Sequence, residues 1–289
     1  MIRKSTNLLF LLAPLVLTVG CKKVVKNTPE EIALNEKIKE VSSNQFWVET
    51  TSEELEKGDP KWSGGDNYKM VFDENGHVLE EVQYDLDGAL RTKETYTYGE
   101  GGFLMESNKY DVNGEGGGDE LWKYKTHHLK NPMHPELSEV YDSSGELKGK
   151  MIRVYDERGN EIEYEYIDIE NDGLGNRKGK YTYDSDDRLI RSESYSNNIT
   201  EVREYTYDND KVTIKTVFNY GEVKGSRSQV MKYNDKEDVI EVEDLNEGGE
   251  SDKRIEYAYD YDEKGNWIRK TEYVNGTPRT ITERTIEYY

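Results

Sequence analysis

The chain has 289 residues, of which 60 are acidic and 39 are Lys or Arg, so its formal net charge at pH 7 is −21. Such a negative surface repels nucleic acid and anionic lipid headgroups, which excludes these two classes of partner. Low hydrophobicity with high net charge is also typical of disorder. However, 23 residues are tyrosines and they recur at the spacing of β-strands, which favours a folded β-protein.

The N-terminus has the features of a cleaved signal peptide. Arg3 and Lys4 are followed by an apolar stretch over 8–17, which is shorter than the roughly 20 residues that a membrane-spanning helix needs. This stretch ends at Gly20 and Cys21, and the segment resembles the lipobox that the bacterial lipoprotein signal peptidase cuts. We therefore predict cleavage directly before Cys21.

Cys21 is the only cysteine of the chain and is the predicted lipidation site. The alternative is a free thiol, but the position after an apolar run and a glycine favours lipidation. The lipobox resemblance implies a diacylglycerol thioether and an N-acyl chain, and more than one acyl chain gives stable anchoring. Lys22 after this cysteine, in place of Asp, favours the outer membrane of a Gram-negative bacterium.

The sequence pattern divides the chain into three predicted segments: a signal peptide over 1–20, a tether over 21–65 and a repeat domain over 66–289. The tether contains a predicted short helix. Thr28 would cap this helix, and its apolar stripe would include Ile38 and Val41.

The repeat domain contains many copies of one theme: an aromatic residue, an Asp, two polar residues and often a Gly. The clear copies are Phe72-Asp73 with Gly76, Tyr84-Asp85 with Gly88, Tyr110-Asp111 with Gly114, Tyr141-Asp142 with Gly145, Tyr155-Asp156 with Gly159 and Tyr261-Asp262 with Gly265. Asp opens a type I turn by bonding its own backbone, and Gly adopts the left-handed conformation of the following bulge. We predict an all-β fold, an antiparallel meander of a dozen or more strands in a curled or partly single-layer sheet.

Two stretches resemble the YD repeats of RHS-type proteins. Residues 181–184, with the sequence Tyr-Thr-Tyr-Asp, are followed by Arg188-Leu189-Ile190 and by a second Tyr-Thr-Tyr-Asp at 205–208. Another good copy covers 259–267. In the RHS family such repeats build a spiralling β-sheet shell, so the resemblance implies a β-hairpin repeat architecture.

The repeat register is lost over 121–137, where two prolines interrupt the strand pattern. We predict a partner-binding loop here, formed by Trp122, Tyr124, His127, His128 and His134. The three histidines could instead hold a metal, but their spacing matches no zinc pattern. We therefore predict no metal and no cofactor, and leave Ca²⁺ binding by the acidic turns open.

No nucleophile elbow and no phosphate-binding glycine loop is present in the sequence. The leading functional hypothesis is a non-enzymatic, outer-membrane lipoprotein that binds a protein or glycan, or serves as a scaffold. One alternative is an envelope carbohydrate-active enzyme that uses an Asp/Glu pair. The other is an accessory protein of an RHS-type secretion or toxin system, suggested by the repeat resemblance.

Overall fold

The computed structural model describes residues 37–49, 55–61, 67–84, 88–111, 120–127, 136–169, 175–196 and 199–289. These residues form nineteen antiparallel strands in one sheet. The strands are β1 (Ile38–Glu49), β2 (Glu56–Pro60), β3 (Tyr68–Phe72), β4 (Val78–Tyr84), β5 (Leu90–Tyr98), β6 (Leu104–Asp111), β7 (Glu120–His127), β8 (Leu137–Asp142), β9 (Leu147–Tyr155), β10 (Glu161–Asp168), β11 (Arg177–Tyr183), β12 (Leu189–Ser196), β13 (Ile199–Asp208), β14 (Lys211–Tyr220), β15 (Val223–Tyr233), β16 (Val239–Leu245), β17 (Ser251–Tyr261), β18 (Trp267–Val274) and β19 (Thr277–Tyr288).

The sheet closes into a barrel. Each strand from β3 to β18 pairs with the next strand along the chain, and β1 pairs with β19 on one edge and with β3 on the other. All strands except β2 therefore form a closed ring of eighteen, while β2 pairs with the second half of β1. Closure removes the unpaired strand edges that an open meander would expose.

The predicted antiparallel hairpin meander is confirmed, but it closes into a barrel where we predicted a curled or partly single-layer sheet. The predicted short helix is wrong for Ile38 and Val41, which lie in β1. A bulge between Ile38 and Glu40 places Ile38 and Val41 on one face of the strand, which mimics the three-residue spacing of a helix. Both β1 and β2 lie within the predicted tether of 21–65.

Residues 1–36 lie outside the described residues, and with them the predicted signal peptide, the lipidation site and the start of the predicted helix. Across the described ranges, the structure contains no helix long and apolar enough to cross a membrane.

Seven turns within the described ranges share one hydrogen-bond pattern. In each turn, Oδ1 of the first residue accepts from the backbone N–H groups two and four positions later; the first residues are Asp73, Asp142, Asp156, Asp184, Asn234, Asn246 and Asp262. The fourth residue has a positive φ, as predicted for Gly159 and Gly265. Asp187 and Glu237 adopt the same conformation without being glycine, with φ of 60° and 66°.

The two faces of the sheet differ in composition, because side chains alternate along each strand and paired residues share a face. One face, called here the tyrosine face, carries the two clusters of buried apolar residues, which centre on Tyr205 with Leu189 and on Val41 with Tyr68. The other face, called the ion-pair face, carries cross-strand pairs such as Lys178–Glu165 and Lys93–Glu80.

We infer that the tyrosine face lines the interior of the barrel, since the concave side of a curled sheet is the more crowded one. Burial raises the pKa of Tyr96 to well above its usual value and also raises the pKa of Glu94, both on this face. On the ion-pair face, hydrogen bonds from Tyr195 and Arg191 lower the pKa of Glu193. The charged outer face thus stays close to solvent.

Candidate binding site

Many tyrosines of the interior have a structural role at one rim of the barrel. The hydroxyl groups of Tyr98, Tyr183, Tyr207 and Tyr259 each donate to a backbone carbonyl, at 2.8, 3.0, 2.8 and 2.8 Å. Each carbonyl lies five positions after the first residue of a neighbouring turn; the four acceptors are Val78, Glu161, Leu189 and Val239. These bonds tie successive hairpins together, which explains the recurrence of tyrosine.

Burial accompanies these rim bonds. It raises the pKa of Tyr98 to about 12, with a further contribution from the charge of Asp73. Burial likewise raises the pKa of Tyr183 to about 12. Both phenols are therefore protonated, and able to donate, at physiological pH.

A different arrangement occurs where the ring closes. Ser43 on β1 lies opposite Arg284 on β19 and opposite Tyr68 on β3, so these three residues form a row across three strands of the tyrosine face. Arg284 is 7% exposed and Ser43 is 1% exposed. A charged and a polar side chain are therefore buried at the junction of the two chain ends.

Aromatic rings extend this row. The guanidinium carbon Cζ of Arg284 lies 3.3 Å from the ring centroid of Trp267 and 5.9 Å from that of Tyr68. The Trp267 ring in turn lies 6.0 Å from the ring of Tyr259. We call Tyr259, Trp267, Arg284, Ser43 and Tyr68 the closure row.

Polar side chains border the closure row. Gln45 on β1 donates to the hydroxyl oxygens of Thr280 and Thr282 on β19, at 3.4 and 3.3 Å. All three are buried. The interior wall at the ring closure thus combines aromatic rings, hydroxyl groups, an amide and a guanidinium. It also carries the ammonium group of Lys270, 5.5 Å from the Trp267 ring, and the carboxyl group of Glu272 opposite Thr280. This composition is suited to a polar ligand with ring faces.

A second polar area lies on β4 and β5. Glu81 and Glu94 are directly opposite each other in the pairing of these strands, so their carboxyl groups share the tyrosine face. Burial raises the pKa of Glu94, while the charge of Lys109 lowers it less. Tyr96 lies 3.5 Å from an oxygen of Glu81. Two adjacent carboxyl groups, of which one has a raised pKa, are an arrangement that acid–base chemistry uses.

The described part of the predicted binding loop lies in a strand. Trp122, Tyr124 and His127 lie in strand β7 and not in a loop, and only the backbone of Trp122 is described. Tyr124 and His127 are three positions apart in a strand, so their side chains point to opposite faces. His127 contacts Glu139, with 3.1 Å between Nε2 and Oε2, on the ion-pair face.

His128, His134 and Cys21 lie outside the described residues. Within the described ranges, no group of three His, Cys, Asp or Glu residues is arranged to hold a metal ion.

Sequence reasoning missed the closure row. Strand alternation alone would place Ser43 with Gln45, and Arg284 with Thr282, on one face of each strand. What the sequence does not reveal is that the first and last strands are neighbours. Ser43 and Arg284 are brought together by ring closure alone.

The solved structures similar to this chain include the following two. One is a porin-like protein from Bacteroides uniformis ATCC 8492, with 10% identity, a TM-score of 0.43, and coverage of 88% of this chain and 99% of that chain. The other is TcdB2-TccC3, with 14% identity and a TM-score of 0.35, where the match covers 85% of this chain and 16% of that chain. No protein-family model and no curated protein matches the chain. These likenesses concern the β-sheet architecture alone.

Proposed function

We propose that this chain is a non-enzymatic β-barrel, attached to the bacterial outer membrane by a lipid anchor, that binds a glycan on its interior face. The observation that carries the proposal is the closure row, where the rings of Trp267 and Tyr259 are only half-buried on the same face as Gln45 and Thr282. Aromatic ring faces pack against the apolar faces of sugar rings, while hydroxyl and amide groups hydrogen-bond the sugar hydroxyls. The sequence also allowed a protein as the ligand, and no comparable feature of the closure row favours a protein.

Binding should depend on the aromatic rings of the closure row. We expect Trp267→Ala to weaken the binding of a saccharide at least tenfold, measured by titration calorimetry against a panel of oligosaccharides. Tyr195→Ala is the matched control, because Tyr195 is an aromatic residue of the ion-pair face and is 38% exposed. Equal affinities of the Trp267→Ala variant and the native protein would contradict a site at the closure row.

The anchoring half of the proposal depends on Cys21. We expect the native chain to incorporate labelled palmitate in a bacterial host and to fractionate with membranes. Cys21→Ser should abolish both properties while the barrel still folds, as judged by its circular dichroism. Label retained by the Cys21→Ser variant would show that the lipid is attached elsewhere, and a native chain without label would show that there is no such anchor.

A second candidate function is hydrolysis of a glycan by the Glu81–Glu94 pair. The raised pKa of Glu94 favours this candidate, since a general acid must hold its proton near neutral pH. Release of reducing sugar by the native protein, lost in Glu94→Gln and retained in Glu193→Gln on the ion-pair face, would support hydrolysis. Absence of turnover on saccharides that bind would leave the barrel as a binding protein.

A further inference from the structure

We infer that the closure row selects an acidic saccharide and that Arg284 binds a carboxylate group of this ligand. The inference rests on the proposed glycan-binding function and names the ligand class. It is carried by a buried cation without a counter-ion, by a second polar group beside it, and by the rings that flank both.

Arg284 is a buried charge without a compensating acid. Only 7% of the residue is exposed, and Nε has no hydrogen-bond partner. Among the described residues, none forms an ion pair with Arg284; its guanidinium lies over the ring of Trp267 and 5.9 Å from the ring centroid of Tyr68. Burying a charge in this way is unfavourable, and buried charges are normally paired.

Two other interior arginines each lie against an acid. Arg153 lies on the same face, 3.3 Å from a carboxylate oxygen of Glu161, and also donates to Ser138 at 3.1 Å. Arg203 lies 2.5 Å from a carboxylate oxygen of Glu201. Arg284 differs from both, because the acidic residues next to it on β19, Glu283 and Glu287, alternate to the ion-pair face.

Ser43 adds a second group without a partner. Its Oγ is buried and has no hydrogen-bond partner, and it lies directly across the strand pair from Arg284. A guanidinium has only donors, and a serine hydroxyl is free to donate as well. Two donors side by side require an acceptor, and a carboxylate provides two oxygens for them.

The aromatic rings restrict the direction from which a carboxylate can approach Arg284. Because Trp267 covers a flat face of the guanidinium, a ligand reaches Arg284 in the guanidinium plane, which is the geometry of carboxylate recognition. A sugar ring bonded to this carboxylate would lie over Trp267 and Tyr259, whose rings are only half-buried. This combination favours a uronic acid over an acidic peptide, which would not use the ring faces in this way.

The test uses the full lipidated chain in detergent and four probes: a linear trisaccharide of uronic acid, its methyl ester, a neutral trisaccharide and a glutamate-rich peptide. We expect the uronic acid trisaccharide to bind at least tenfold more tightly than its methyl ester in titration calorimetry. Arg284→Gln should remove this preference, so that the acid and its methyl ester bind the variant with equal affinity. Arg227→Gln is the matched control, since it removes an arginine of the same face on β15 and should retain the preference.

Thermal unfolding separates a binding defect from a folding defect. Because Arg284 is buried without a counter-ion, the Arg284→Gln variant should unfold at the same temperature as the native chain or higher. The uronic acid trisaccharide should raise the unfolding temperature of the native chain and not that of the variant.

The two levels of the proposal fail in different ways. Equal binding of the acid and its methyl ester, or tighter binding of the glutamate-rich peptide, would overturn the acidic-saccharide inference while any saccharide binding leaves the proposed function standing. Failure of every saccharide to bind the native chain would overturn both.

Discussion

Some turns carry a residue that is conformationally unfavourable at its position. The fourth turn position requires a positive φ, and Glu237 adopts a φ of 66° there. An L-residue other than Gly is disfavoured in this left-handed region by about 1–2 kcal/mol. Gly265 occupies the equivalent position two hairpins further along the chain without this cost.

Glu237→Gly should therefore stabilise the barrel. The relief of strain is partly offset by the greater freedom of glycine in the unfolded chain, so we expect a net gain of about 0.5–1 kcal/mol in the free energy of unfolding. Urea denaturation followed by circular dichroism measures this change. Gly265→Ala should lower the stability by a similar amount, and a Glu237→Gly variant less stable than the native chain would show that this turn is not strained.

The rim tyrosines give a second prediction at this scale. Tyr207→Phe removes the hydroxyl that donates to the Leu189 carbonyl at 2.8 Å and should lower the free energy of unfolding by about 1 kcal/mol. Tyr195→Phe removes an exposed hydroxyl that contacts Glu193 and should change stability by less than about 0.5 kcal/mol. Equal losses of unfolding free energy in the two variants would mean that the rim hydrogen bonds do not stabilise the barrel more than an exposed hydroxyl does.

At the scale of one hairpin, the turn aspartates couple folding to pH. Burial raises the pKa of Asp73, but hydrogen bonds from His77 and from the backbone outweigh it, so the pKa lies below its usual value of 3.8. Asp156, Asp184 and Asp262 show the same balance. A depressed folded-state pKa contributes stability that is present above about pH 3.8 and is lost as the pH falls below it.

We therefore expect the free energy of unfolding to fall steeply below about pH 4, beyond what net charge alone produces. Asp73→Asn should flatten this dependence, because Asn keeps the turn bonds, as Asn234 does, but does not titrate. Stability measured by urea denaturation from pH 7 to pH 2 tests this. If the free energy of unfolding of Asp73→Asn falls as steeply below about pH 4 as that of the native chain, this aspartate does not contribute to the pH dependence.

The hairpin is also the scale at which sequence is most informative. The turns beginning at Asp156 and Asp262 follow from local rules, because Oδ1 of each Asp accepts from backbone N–H groups at most four positions away. Asn275-Gly276 is likewise a local signal, since both residues adopt the positive φ of a two-residue hairpin turn. The same local rules gave a wrong prediction for β1, because the bulge between Ile38 and Glu40 produces the apolar spacing that is typical of a helix. The candidate site required information of another kind, since Ser43, Tyr68 and Arg284 meet only through closure.

At the scale of the whole molecule, one strand converts a meander into a barrel. Val41 of β1 lies opposite Ile286 on one side and Met70 on the other, and it is fully buried. The first and last strands must therefore find each other across almost the whole chain, which makes closure a late and slow event in folding. The closure row exists only after this event.

Cross-linking of β1 to β19 tests this closure most directly. In a chain carrying Cys21→Ser, cysteines introduced at Ser42 and Thr285, which lie opposite each other, should form a disulfide within one molecule under mild oxidation. Cysteines at Thr206 and Thr213, opposite each other in the β13–β14 hairpin, are the positive control. If the hairpin pair cross-links and the Ser42–Thr285 pair does not, or does so only between molecules, the barrel is open and the closure row is not assembled.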